Sequence, residues 1–90
     1  MATVCKRVTY SGRVQGVGFR YTARRLASEF PVAGYVRNLP NGEVELMAEG
    51  DEAQVTAFLN AVAENMQAYV TGTLIRDAQP GGYSGFEVRA

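Results

Sequence analysis

Between Gly12 and Arg20 the chain reads GRVQGVGFR, three glycines and an arginine at the junction of a strand-like and a helix-like stretch. Glycine permits backbone conformations in which successive N–H groups turn toward one point. A helix N-terminus adds unbonded donors and partial positive charge, so an anion such as phosphate is stabilised there without a metal. Arg20 would supply a full charge. The familiar nucleotide loops do not fit: no Gly-Lys-Ser/Thr follows, and Tyr21 stands where a dinucleotide fingerprint needs its third glycine. On glycine count alone, an ordinary strand-to-helix turn at Gly12, Gly16 and Gly18 leads and the anion cradle stays open beside it.

Charge is distributed in a way that favours the cradle. The chain is formally neutral, yet up to Arg37 seven bases face one acid, and beyond it two bases face eight acids, giving +6 and −6. The basic half contains the glycine loop. Arg24 and Arg25, on the expected helix, read as a solvated face, and solvation is at least as good an account of Arg13 as attraction of a dianion. With no histidine and a single cysteine, Cys5, there is neither the commonest metal ligand nor an internal disulfide, so no metal or cofactor is expected. Cys5 is most simply a small strand residue. No leader-like or membrane-length apolar run occurs, so a cytoplasmic protein that does not engage a membrane is expected.

Ninety residues of ordinary globular composition suit one domain, taken as 1–90. Residues 4–11 alternate, with Val4, Val8 and Tyr10 on one face, and Gly12 ends the strand. Phe19, Ala23, Leu26, Ala27 and Phe30 recur at helical spacing before Pro31, which predicts a helix from about Arg20 to Glu29. A strand at 32–38, turn chemistry at Leu39-Pro40-Asn41-Gly42 and a strand at 43–49 form a hairpin. In the second of these, Val44, Leu46 and Ala48 should face inward and Glu43, Glu45, Met47 and Glu49 outward to solvent. Asp51 and Gln54 resemble a capping box, followed by a helix with Val55, Phe58, Leu59, Val62 and Met66 on one face. Strands at 69–77 and 85–89 follow, with Phe86 and Val88 inward.

This order predicts an α+β, ferredoxin-like βαββαβ sandwich with two helices on one face of a mainly antiparallel sheet of four to five strands. A right-handed crossover makes the first two strands parallel with the third between them. Their C-terminal ends, the glycine loop and Asn38, should therefore converge.

GRVQGVGFR with Thr22 and Ala23 after it, GYVRNLPNGEVE at Gly34 to Glu45, and the closing Phe86-x-Val88-Arg89 resemble the acylphosphatase family over essentially the whole chain. The resemblance implies hydrolysis of the carboxyl-phosphate anhydride of a small acyl phosphate to a carboxylate and inorganic phosphate. It implies Arg20 and Asn38 as catalytic residues, Arg20 gripping the phosphate and Asn38 orienting the attacking water, and a cradle of N–H groups over Gln15, Gly16, Val17, Gly18 and Phe19. The chemistry is consistent: arginine offers a planar, permanently charged fork, and an asparagine carbonyl accepts a water proton. A carboxylate leaves at neutral pH without a general acid, so positioning and charge stabilisation can suffice. Tyr35 stands where the family often has tryptophan, and residues 69–83 are less typical, though Ala68-x-Val70 is similar.

Without the resemblance, Asn38 would first be read as a turn former, and Arg20 as a surface helix residue or a ligand group about equally. The Phe19 side chain reads as core. Two other functions compete: an anion-binding module without turnover, which has no evident need for Asn38, and RNA binding, for which the 43–49 strand is acidic and lacks aromatics. The site is also similar to the N-terminal domain of certain large maturation enzymes. The expectation is an independent monomeric enzyme with no nucleic-acid partner.

Overall fold

A computed structural model describes residues 2–90. Its elements are β1 (Thr3–Gly12), α1 (Phe19–Ala27), β2 (Ala33–Asn38), β3 (Val44–Asp51), α2 (Glu52–Met66), β4 (Val70–Asp77) and β5 (Phe86–Arg89). The five strands form one sheet in the order β4-β1-β3-β2-β5. β3 is antiparallel to both β1 and β2, which are therefore parallel to each other. β4 is antiparallel to β1, and β5 lies parallel beside β2, completing the ferredoxin-like α+β arrangement with a fifth strand at one edge.

Alternation places Val8, Tyr10, Val36, Val44, Leu46 and Ala48 on the helix side of the sheet, where they meet the stripes of α1 and α2. Phe19, Ala23, Leu26 and Ala27 recur at three- and four-residue spacing and are all buried. Phe58 is fully buried from α2, with Phe30 and Phe86 ring centroids 6.0 and 5.5 Å away. Burying a side chain of this kind stabilises the fold by about 2–3 kcal/mol. Phe86 and Val88 pack inward as expected. α1 stops at Ala27, two residues earlier than its pattern suggested, because the Ser28 N–H and hydroxyl both turn back to the Arg25 carbonyl.

Two local expectations give way to longer-range contacts. Asp51 makes no side-chain cap at α2: it is still paired with Thr3 as the last residue of β3, and the Ala2 carbonyl accepts from the Glu52 N–H at 3.0 Å. The outer face of β3 is not left to solvent either. Met47 is only 3% exposed, because Ala78 and Tyr83 fold over it and over Cys5 and Tyr35. Glu45, 9% exposed, is satisfied there by accepting from Tyr35 Oη at 2.9 Å and Arg37 Nε at 2.8 Å. Among the described residues, no helix is long and apolar enough to cross a membrane.

Candidate active site

β1 ends in the glycine loop, and β2 ends at Asn38 on the same side of the sheet. One residue of β3 ties these ends together, since Val44 is opposite both Tyr10 and Asn38. The first residues of the loop are anchored at two points. The Arg13 N–H donates to the Tyr69 carbonyl at 3.0 Å, and Val14 is sunk into the core at 1% exposure.

Beyond Val14 the backbone takes a left-handed conformation at Gly16 (φ 77°) and again at Gly18 (φ 78°), with open space around both. The need for glycine there is conformational rather than steric, and such alternation turns successive N–H groups to one side. Gly18 is the N-cap of α1, and its carbonyl accepts from the Thr22 N–H at 3.0 Å. Among the described residues, the N–H groups of residues 15–21 find no acceptor within the chain. A run of free donors at a helix start has the chemistry to receive an anion.

Of residues 15–21, Gly16, Gly18, Phe19, Arg20 and Tyr21 line a cavity of about 200 Å³ whose wall also includes Asn38. Arg20 and Asn38, separated by α1 and β2 in the chain, thus face the same space. The Arg20 guanidinium is steadied by donating one N–H to the Arg89 main-chain carbonyl at 2.9 Å, leaving its other donors for a ligand. The Phe19 side chain belongs to the core, 4.8 Å from the Tyr10 ring, so only its backbone can serve the cradle. Val17 is packed on the core and does not line the cavity. The Gln15 side chain turns to the hairpin instead, donating to the Leu39 and Glu43 carbonyls at 2.8 and 2.9 Å.

The wall carries no carboxylate. Glu43, the nearest acid in sequence to the turn, is occupied by the Asn41 amide at 2.8 Å. Among the described residues, no group of three or more histidine, cysteine, aspartate or glutamate side chains could hold a metal ion. Cys5 lies away from the cavity, under the 78–83 segment. Burial first, and the neighbouring Glu49 second, push its thiol up from the ordinary value. Arg24 and Arg25 lie on the exposed face of α1, with Arg25 3.9 Å from Glu29.

Sequence reasoning did not identify the Arg89 carbonyl, the Gln15 amide as a tie to the hairpin, or Tyr21, which is 73% exposed at the cavity rim. The first had a signal: a fifth strand parallel to β2 brings Arg89 to the level of Arg37. The other two have none in local pattern.

The acylphosphatase family model matches residues 6–88. An acylphosphatase of Archaeoglobus fulgidus is 43% identical over 86 residues, covering 94% of this chain and 97% of that protein. The crystal structure of acylphosphatase from Bacillus subtilis superposes with a TM-score of 0.87 at 32% identity, covering 97% and 99% of the two chains. An acylphosphatase from Coxiella burnetii gives 0.86 at 38% identity, covering 97% of this chain and 93% of that one.

Proposed function

We propose, from the premise that the chain belongs to the acylphosphatase family and hydrolyses the carboxyl-phosphate bond of acyl phosphates, that Arg20 and Asn38 divide the work. The observation that carries this reading is their meeting across one cavity bordered by unbonded N–H groups. The N–H groups of residues 15–19 and the Arg20 fork hold the phosphoryl oxygens, and their positive field grows in value as charge develops there. The Asn38 carbonyl accepts one proton of a water and directs its lone pair at phosphorus. The water oxygen bonds to phosphorus while the bond from phosphorus to the acyl oxygen breaks, its electron pair leaving on the carboxylate. The water's proton passes to a phosphoryl oxygen, which accounts for a wall without a carboxylate.

The family match over residues 6–88 supports one domain, taken as residues 1–90, and the reading keeps it a monomer. The reading keeps the protein cytoplasmic, where a small acyl phosphate would be met. The partner is a small acyl phosphate, not a nucleic acid.

Hydrolysis of benzoyl phosphate in EDTA, by the parent and by folded Arg20→Ala and Asn38→Ala, tests the roles. Rapid turnover lost by about 100-fold or more in both variants is expected. A fully active Asn38→Ala would remove Asn38 from the chemistry, and a strong loss in Glu43→Gln would place the proton on a carboxylate instead.

A further inference from the structure

The Gln15 side chain occupies an unusual place for a residue of a phosphate cradle, because it points away from the cavity into the mouth of the β2–β3 hairpin. Its one amide nitrogen carries two hydrogens, and each has an acceptor, the Leu39 carbonyl at 2.8 Å and the Glu43 carbonyl at 2.9 Å. Leu39 follows Asn38, and Glu43 precedes Val44, the residue opposite Asn38. Both carbonyls also accept from the turn itself, Leu39 from Gly42 and Glu43 from Leu39. Gln15 therefore grips both strands one step beyond the rung that holds Asn38. Among the described residues, no other hydrogen bond joins residues 13–18 to residues 38–43.

We propose that Gln15 is a positioning residue whose side chain sets the distance between the phosphate cradle and the water-orienting amide of Asn38. The proposal rests on the roles assigned above to Arg20 and Asn38. Apolar packing of Val14 holds the loop to the core but is non-directional, whereas two hydrogen bonds from a planar amide fix register and angle. The phosphate meets the loop and Arg20, and the water meets Asn38. An in-line attack needs the two halves aligned, and a misplacement of about 1 Å costs on the order of 100-fold in rate. Holding a phosphate makes no such demand.

The test compares Gln15→Leu and Gln15→Glu with the parent in benzoyl phosphate hydrolysis and in competitive inhibition by inorganic phosphate, with folding followed by circular dichroism. In Gln15→Leu, kcat is expected to fall roughly 10- to 100-fold while the phosphate inhibition constant stays within about 3-fold. In an Asn38→Ala background the same change should add less than about 3-fold, because the group it positions is gone. Gln15→Glu removes the donors at neutral pH, but a protonated carboxyl can donate one of the two bonds. Its kcat should therefore rise several-fold between pH 7 and about 4.5, relative to the parent measured alongside.

A folded Gln15→Leu with parental kcat overturns the proposal, as does a parallel loss of kcat and phosphate affinity, or a full additive loss on Asn38→Ala. If Gln15→Leu does not fold, the acid limb of Gln15→Glu decides, and its absence is the overturning result. A fully active Asn38→Ala is a different failure, because it removes the role of Asn38 and the positioning argument with it. An inactive Asn38→Ala beside an unaffected Gln15→Leu removes the positioning argument alone.

Discussion

Replacing Asn38 with aspartate keeps the shape of the side chain and adds one negative charge to the wall of the cavity. The magnitude follows from the size of the site. A cavity of about 200 Å³, taken as a sphere, is roughly 7 Å across, so a carboxylate on its wall lies within about 7 Å of a bound phosphate dianion. One charge against two at that distance costs about 1.2 kcal/mol in bulk water and about 4.7 kcal/mol at an effective dielectric constant near 20. An open, water-filled mouth lies between, at about 2.4 kcal/mol for a dielectric constant near 40, or roughly 60-fold in affinity. The assay is inhibition of benzoyl phosphate hydrolysis by inorganic phosphate at pH 8 and low ionic strength. Asn38→Asp should weaken the inhibition constant by about 60-fold, and salt at about 1 M, which shortens the screening length to about 3 Å, should restore most of it. Asn38→Ala adds no charge and should leave that constant within about 3-fold while kcat collapses. An Asn38→Asp inhibition constant within 2-fold of the parent at low salt, or a loss indifferent to salt, would refute the placement of Asn38 beside the phosphate.

Three further outcomes are expected. With no histidine in the chain and no carboxylate on the cavity wall, kcat should be flat from pH about 5.5 to 8.5, and a bell-shaped profile in that window would introduce an acid–base pair that this site does not contain. Gly34→Ala should destabilise the protein by about 4 kcal/mol, since φ is 146° there and a Cβ would overlap the Met47 carbonyl across the β2–β3 ladder; a urea midpoint giving a loss under about 1 kcal/mol contradicts this. Burial raises the Tyr10 hydroxyl above its ordinary value of 10.0. The folded state then keeps a proton that the unfolded state releases, so the Tyr10 contribution to stability is intact below pH 10 and is lost at about 1.4 kcal/mol per pH unit above it until Tyr10 itself ionises. Denaturation curves between pH 8 and 12 read this directly, and the slope above pH 10 should be shallower, though not absent, in Tyr10→Phe, because burial also raises Cys5 and Tyr35.

The parts of the fold that were legible in the sequence are those whose periodicity is written in one segment. Val8 and Tyr10, the α1 stripe from Phe19 to Ala27, and Phe58 and Val62 on α2 announce their faces by spacing alone. Their arrangement followed from connection rules, which is why the loop and Asn38 could be expected at one sheet edge. Met47 was misplaced because its cover comes from Ala78 and Tyr83, and no pattern within β3 encodes what a distant loop does. The supposed cap at Asp51 failed for a similar reason: pairing with Thr3 extends the strand, and the Ala2 carbonyl takes the donor. At the site, glycine spacing left an anion cradle open beside an ordinary turn, and it did not show that the Gln15 side chain turns to the hairpin. A glutamine reads the same in either direction until the carbonyls it meets are in place.

That Val44 sits opposite both Tyr10 and Asn38 has a consequence for how the chain reaches its active form. The site exists only after β3 has inserted between two strands that are separated from each other by the whole of α1. Pairings of this non-local kind are slow to form, because chain entropy is lost before contacts compensate. Helix content can return early in refolding, since α1 and α2 are local, but hydrolysis must wait for the central strand. Regained activity is thus a clock for insertion of the central strand, and a refolding intermediate with native-like helices but no β3 in place should be catalytically silent.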